Sequence, residues 1–231
     1  MFKLQINERN KNTLENLLDI LDVIGVIAFA VSGAMTAIEK KMDLLGICVL
    51  GIVTSVGGGV IRDVILGITP PRVFTNSRDV LIAAIISCIV FIVTFLKKYK
   101  SKKVMILSDN ILMISDAIGL GAFTIIGINV AISTLNDYNS FLLVFVGVIT
   151  GVGGGVLRDI MCGSVPYIFQ KHIYAVASAA GAISYVFVYE VIGRNVATVI
   201  CSLLVISIRF LAAHFQWNLP RIEHNNESIN Q

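Results

Sequence analysis

The chain alternates between long apolar runs and short polar connectors. Seven runs of 17 residues or more are almost continuously apolar, and they cover residues 17–38, 44–68, 80–96, 111–135, 141–165, 173–192 and 196–215. A helix that crosses a bilayer needs about 20 apolar residues, whereas a strand of a membrane barrel alternates apolar and polar residues over about 10 positions. The pattern therefore predicts an all-α polytopic membrane protein with seven transmembrane helices, joined by connectors too short to hold a soluble domain.

The composition excludes several classes of protein. Apolar residues make up 56% of the 231 residues and charged residues 14%. Soluble domains contain about 45–50% apolar and about 25% charged residues, and one core of this size could not bury so much apolar surface. The formal net charge of +3 is too small to indicate nucleic-acid binding. We therefore expect a membrane protein that does not bind nucleic acid.

No arrangement of residues indicates a cofactor or an enzyme. The histidines are scattered, and the cysteines lie singly in apolar runs without a CxxC pair, which is typical of small buried apolar side chains. We find no nucleophile with an adjacent base and no spaced set of metal ligands. We expect no cofactor, no metal site and no enzymatic activity. The four cysteines are Cys48, Cys88, Cys162 and Cys201.

The distribution of basic residues predicts the orientation in the membrane. Seven spans place the two termini on opposite sides, and the side that holds the C-terminus carries nine lysines and arginines against six on the other side. The dense basic connector at residues 97–103 lies directly against a span end, where positive charge weighs most in setting the cytoplasmic side. We expect the C-terminus in the cytoplasm and the N-terminus outside, in the inner (plasma) membrane.

The sequence also resembles itself. GIVTSVGGGVIRDVILGITP at residues 51–70 aligns without a gap to GVITGVGGGVLRDIMCGSVP at 147–166, and the preceding spans match at an offset of 94 residues. Spans 1–3 and 4–6 are therefore two copies of one unit, and because three is odd the second copy enters the membrane from the opposite face. We predict a polar N-terminal segment at 1–16, an inverted pair of three-helix repeats at 17–103 and 104–195, a seventh helix at 196–215 and a polar C-terminal tail at 216–231.

A glycine triplet occurs at the same place in both repeats. Each glycine in a helix interior costs about 1 kcal/mol relative to alanine, so a triplet weakens the helix and allows it to kink. Interrupted helices at matching places in two halves point to a substrate or ion pathway, although small residues also serve close helix packing. We expect helix kinks on an ion pathway at Gly57, Gly58 and Gly59 and at Gly153, Gly154 and Gly155.

Charged pairs follow each triplet inside the apolar run, as Arg62-Asp63 and Arg158-Asp159. Ionisable groups within a span cost roughly 2.5–3.5 kcal/mol and usually face a cavity or a partner; the alternative is that they reach the interface near a helix end. Asp22 begins the first span on the side where Arg62 ends the second, so we expect these side chains to lie near each other. Asp116 and Arg158 stand in the same relation at the opposite face. We predict matched gates at the two ends of one pathway.

Seven spans in a 3+3+1 arrangement, with GGGxxRD in the second span of each repeat, resemble the prokaryotic trimeric intracellular cation (TRIC) channels. This bacterial inner-membrane family is also catalogued with a duplicated glycine-transporter domain. The resemblance implies a homotrimer in membrane lipid, in which each protomer has a pore for monovalent cations, chiefly K⁺, lined by spans 1, 2, 4 and 5. Animal members carry lysine-bearing motifs tied to phosphoinositide at the corresponding kinks, and this chain departs from them with glycine.

Three functions remain open at this point. A passive cation channel would conduct currents that reverse at the potassium equilibrium potential. A secondary transporter of a small solute such as glycine would show saturable uptake, with the solute carboxylate on half-helix N-termini or on arginine. A structural or lipid-scrambling protein would show neither activity.

Overall fold

The computed structural model describes residues 2–98, 104–170 and 173–217. The regular secondary structure within these ranges is helical, and no strand occurs in them. Seven helices are long and apolar enough to cross a membrane, which confirms the predicted all-α fold with two inverted three-helix repeats and a seventh helix. The helices are α1 (Phe2–Glu39), α2 (Leu44–Ile65), α3 (Arg72–Thr75), α4 (Arg78–Lys98), α5 (Val104–Thr134), α6 (Ser140–Met161), α7 (Tyr167–Gln170), α8 (Ile173–Ile192) and α9 (Arg194–His214).

The predicted segments at the ends of the chain are described in part. Residues 2–16 of the predicted polar N-terminal segment are helical and continuous with the first span, because α1 is one helix from Phe2 to Glu39. Residues 99–103 of the basic connector and 218–231 of the polar tail lie outside the described residues.

The second span of each repeat begins and ends in the same way. Asp43 precedes α2 and accepts a hydrogen bond from the Gly46 backbone N–H, and Asn139 precedes α6 and accepts one from Leu142. Side-chain acceptors at this position satisfy N–H groups that have no partner within the helix. The two equivalent caps set the start of both helices.

Glycine ends these two spans, which is a correction to the predicted boundaries of 44–68 and 141–165. The apolar runs continue to the prolines at 70 and 166, but α2 ends at Ile65 and α6 at Met161. Gly67 and Gly163 have φ angles of +70° and +63°, a left-handed conformation that glycine adopts without steric cost. The chain therefore leaves the helix several residues before each proline.

The central helix of the bundle is α5, which is the most buried span, whereas α4 is the least buried. Helix α5 packs against α1 and α6 and also against α8 and α9. Helix α9, which belongs to neither repeat, runs along α5 and contacts it near both ends through Arg194 and Arg209. The first repeat thus packs on the second mainly through α1, α2, α5 and α6.

Candidate functional site

The two glycine triplets lie where α2 crosses α6. A Cβ atom added to Gly58 would overlap the backbone carbonyl oxygen of Thr150, and one added to Gly154 would overlap that of Thr54. Thr54 and Thr150 occupy equivalent positions of the repeat, so one contact is made twice, once from each helix. Glycine is required at both positions because only a hydrogen atom fits between the two backbones.

The remaining triplet glycines are not equally crowded. A Cβ atom on Gly59 would meet only the Arg62 side chain, at 3.6 Å, which is an ordinary van der Waals contact. Helices α2 and α6 are continuous across their triplets. Close packing therefore accounts for Gly58 and Gly154, and a kink on an ion pathway stays a prediction. The other triplet glycines, which do have close neighbours, are Gly57, Gly153 and Gly155.

Arg158 is the centre of a buried charge cluster. Its Nη1 lies 2.8 Å from Asp116 Oδ1 and also donates to Ser32 Oγ, and its Nε lies 2.8 Å from Asp159 Oδ1. The guanidinium stands over the Tyr167 ring, 5.1 Å from its centroid. The exposed fraction of the side chain is 1% for Arg158 and 0% for Asp116. The structure thus brings together the arginine and the aspartate that the repeat placed at this face.

Asp116 has a second arginine beside it. Arg209 of α9 places Nη2 3.7 Å from Asp116 Oδ2, and its guanidinium lies 4.7 Å from the ring centroid of Tyr174. The Tyr174 hydroxyl lies 3.4 Å from Asp116 Oδ1. The place of Arg209 near the end of an apolar run suggests an interfacial residue, yet its side chain is only 5% exposed. The signal was present, because Arg209 lies inside an apolar run as Arg158 does.

The equivalent cluster in the first repeat is arranged differently. Arg62 binds Asp63, with Nη2–Oδ1 and Nε–Oδ1 distances of 2.7 and 2.8 Å. Asp22 is bound by Arg78 at the start of α4, at 3.0 Å. Arg62 and Asp22 line the same cavity, as expected for side chains that lie near each other, but no ion pair joins them among the described residues. Ile126 stands where Ser32 stands in the other half, so Arg62 has no equivalent hydroxyl acceptor.

Each motif aspartate also holds the connector that follows its helix. Asp63 Oδ2 accepts a hydrogen bond from the Arg72 backbone N–H at 2.8 Å, and Asp159 Oδ2 accepts one from Tyr167 at the same distance. These N–H groups begin α3 and α7. The aspartate therefore pairs with its neighbouring arginine and caps the next helix, a role that sequence reasoning missed. Burial raises the pKa of the Tyr167 phenol, so this side chain stays neutral at physiological pH.

Two cavities lie at opposite ends of the bundle. The first has a volume of about 540 Å³ and is lined by charged residues of several helices, including Asp22, Arg62, Arg72, Arg78 and Arg194. The second has a volume of about 480 Å³, and Asn110, Tyr167, Arg209, Gln216 and Trp217 contribute to its lining. The first cavity lies at the end of α5 and the second at its beginning.

The two ends differ in solvent access to their repeat-related aspartates. The side chain of Asp22 is 23% exposed in the first cavity, whereas that of Asp116 is fully buried beneath the second. Between them the rings of Phe29 and Phe123 contact each other, and both are buried. Solvent therefore reaches Asp22 beside the buried Arg62–Asp63 pair but does not reach Asp116 in the second cluster.

The chain matches a family of bacterial membrane proteins. A family model described as "Glycine transporter" matches residues 19–96 and again 113–190. The UPF0126 membrane protein YvgT of Bacillus subtilis is 34% identical over 203 residues, which cover 87% of this chain and 95% of that protein. The UPF0126 inner membrane protein YadS of Escherichia coli is 33% identical over 199 residues, covering 86% of this chain and 92% of that protein.

Solved structures with the same fold are TRIC channels. One TRIC cation channel is 38% identical with a TM-score of 0.76, covering 90% of this chain and 98% of its own. A prokaryotic TRIC channel crystallised in 0.5 M KCl is 31% identical with a TM-score of 0.79, covering 89% and 100%. The TRIC orthologue from Rhodobacter sphaeroides is 31% identical with a TM-score of 0.75, covering 87% and 98%. This chain therefore belongs to the prokaryotic TRIC channel family, the bacterial membrane-protein family with a duplicated glycine-transporter domain.

Proposed function

We propose that the protein is a channel for monovalent cations, chiefly K⁺, with one pathway through each protomer. One observation carries the proposal: two cavities lie at opposite ends of the bundle, the first lined by Asp22 and Arg62 and the second by Arg209, which lies beside the buried Arg158–Asp116 pair. The pathway runs from the first cavity between α1, α2, α5 and α6 to the second. The similarity to solved TRIC cation channels supports this reading over that of an enzyme.

The charges along the proposed pathway are compatible with a cation. An unpaired arginine would repel a cation in a confined pore. Arg62 is paired with Asp63, and Arg158 is paired with Asp116 and Asp159. Arg78, in the first cavity, is paired with Asp22 and with its neighbour Asp79. These three arginines therefore bring their own counter-charges, whereas Arg72 and Arg194 of the first cavity contact the neutral side chains of Thr134 and Asn129.

The proposed gate at the second face is the Arg158–Asp116 pair. This buried pair closes the pathway just before the second cavity. Arg209 lines that cavity and lies beside Asp116. The first cluster, with Asp22 exposed to its cavity, is the open end. The triplet glycines set how closely α2 and α6 approach each other across the pathway. Any kink at Gly57–Gly59 or Gly153–Gly155 would widen this crossing.

The assembly and the orientation belong to the same proposal. The protein forms a homotrimer in the lipid of the inner membrane, as the name of its TRIC relatives implies for them. The N-terminus and the first cavity face outside, and the C-terminus faces the cytoplasm. Repeats at 17–103 and 104–195 form the pathway, and the seventh helix at 196–215 supports it.

The test is ion flux through purified protein in liposomes. A potassium gradient imposed across the membrane should produce a change in membrane potential that empty liposomes do not show and that external glycine does not alter. In planar bilayers the currents should reverse at the potassium equilibrium potential in KCl gradients. Absence of potassium flux in liposomes that contain correctly folded trimer would exclude the channel.

A second candidate is a carrier for a small solute such as glycine. The duplicated match to the glycine-transporter model favours it, and so does access to the molecule from one face only, since carriers built from inverted repeats expose their site alternately to the two sides. Saturable accumulation of labelled glycine without a potassium leak would identify the carrier and exclude the channel.

A further inference from the structure

The environment of Asp116 contains two arginines that are engaged to different degrees. Arg158 makes a full ion pair with Oδ1 at 2.8 Å. Arg209 stands 3.7 Å from Oδ2, about 1 Å beyond the usual distance of a charge-assisted hydrogen bond. Within the described structure, Asp116 Oδ2 and Arg209 Nε have no hydrogen-bond partner. A small movement of the Arg209 side chain would satisfy both atoms.

Arg158 can leave Asp116 without losing its own counter-charge. Its Nε is held by Asp159, its neighbour in the chain, at 2.8 Å. Asp116 is in the opposite position, because it would remain a buried carboxylate without a partner, and such a state is strongly unfavourable. A second cation must therefore be at hand if the Arg158–Asp116 pair is to open.

The first repeat shows the arrangement that such an opening would produce. There the motif arginine, Arg62, forms its ion pair among the described residues with its neighbour Asp63. The repeat-related aspartate, Asp22, is bound by Arg78 from another helix. In the second repeat Tyr174 lies at the start of α8, as Arg78 lies at the start of α4, and it supplies a hydroxyl but no charge. The missing charge is present on α9, as Arg209.

We propose that Arg209 is the exchange partner of Asp116 in opening of the second face. In the closed state Asp116 is paired with Arg158, and in the open state it is paired with Arg209 while Arg158 rests on Asp159. The second repeat then has the arrangement that the first repeat has already. Arg209 is a positioning residue. The proposed exchange depends on the proposed channel function only where it is measured as current.

The proposed exchange predicts how often the second face opens in variants of Arg209 and Asp116. Arg209→Ala leaves the closed pair intact but removes the cation that stabilises the open state, so opening becomes at least about tenfold rarer, because an unpaired buried carboxylate is disfavoured by more than that factor. Arg209→Lys keeps the charge and should open more often than Arg209→Ala. Adding Asp116→Asn to Arg209→Ala removes the carboxylate that needs a partner and should restore opening.

Two readouts separate this inference from the proposed function. The first is the open probability in planar bilayers, with the current through each open channel unchanged. The second needs no current: Ser32→Cys, in a chain whose four native cysteines are replaced by alanine, places a thiol behind the Arg158–Asp116 pair. A charged methanethiosulfonate reagent added from the second face reaches this thiol only when the pair opens.

We expect the reaction rate at position 32 to fall at least about tenfold with Arg209→Ala, to recover partly with Arg209→Lys, and to return with the Asp116→Asn, Arg209→Ala double variant. Unchanged reactivity in Arg209→Ala, or a loss that the double variant does not rescue, overturns the exchange. Labelling that follows the expected order in a protein without potassium flux supports the exchange and overturns the channel. Normal potassium flux, together with a labelling rate that does not change on substitution of Arg209, supports the channel and overturns the exchange.

Discussion

Phe29 and Phe123 occupy equivalent positions of the two repeats, and their rings contact each other with centroids 5.3 Å apart. Residues related by a two-fold axis touch each other only near that axis, so this pair marks the middle of the bundle. It also lies between the two charged clusters. On the proposed pathway these rings form an apolar constriction, where a hydrated ion would meet its largest barrier.

Replacement of Phe29 by alanine should widen this constriction. We expect a larger current per open channel in planar bilayers and a lower unfolding temperature, because removal of a buried aromatic side chain costs roughly 3–5 kcal/mol. Phe141→Ala is the matched control, since this phenylalanine is 78% exposed and should leave both quantities unchanged. An unaltered current in Phe29→Ala would place the narrowest point elsewhere.

Two neighbouring glycines of the first triplet should respond differently to alanine. Gly58→Ala should lower the thermal stability of the purified protein, because its methyl group overlaps the Thr150 carbonyl oxygen of α6. Gly59→Ala has room and gains up to about 1 kcal/mol of helix propensity, so its stability should be equal or higher. Thermal unfolding in detergent measures both.

The same pair of variants tests the predicted kink. If bending at the triplet is needed for conduction, Gly59→Ala will fold normally and conduct less. If close packing is the whole role of the triplet, Gly59→Ala will conduct as the unaltered protein does, and the kink must be given up.

The repeat-related aspartates should differ in their contribution to stability. Asp116→Asn removes a fully buried carboxylate that balances Arg158 and Arg209, and loss of one partner from a buried ion pair costs roughly 3–5 kcal/mol. Asp22→Asn should cost about 1 kcal/mol or less, because Asp22 and Arg78 are partly exposed and Arg78 keeps Asp79. Equal unfolding temperatures for the two variants would contradict the burial of the second cluster.

The cysteines provide a test of the packing of α2 on α4. The sequence placed each cysteine singly, but the Sγ atoms of Cys48 and Cys88 lie 3.5 Å apart. We expect copper–phenanthroline to oxidise this pair to an intramolecular disulfide, with two thiols giving up two electrons and two protons to the oxidant. Peptide mapping under non-reducing conditions detects the product. Cys48→Ser and Cys88→Ser should each abolish it, and a failure of the unaltered chain to cross-link would place these helices further apart.

The sequence determined the membrane fold and its duplication. A water-soluble fold could not bury so many apolar runs long enough to span a bilayer, so the chain must lie in a membrane. The two copies of GGGxxRD, 96 residues apart, require an inverted pair of repeats. The position of Asp116 opposite Arg158 also followed from the sequence, because consecutive spans run in opposite directions and so put the start of one helix and the end of the next at the same face. These inferences needed only the order of residues along single helices.

Tertiary structure decided what the repeat left open. The two halves share a motif, but side chains outside the motif determine which partners its charged residues bind. Arg78 forms an ion pair with Asp22, and Ile126 stands where the other half has the hydroxyl of Ser32. Arg209 lies beside Asp116 although its helix belongs to neither repeat. Neither the closeness of two thiols from different spans nor the overlap of Gly58 with Thr150 follows from helical periodicity. Such contacts depend on how helices cross, and the crossing is fixed only when every helix of the bundle packs at once.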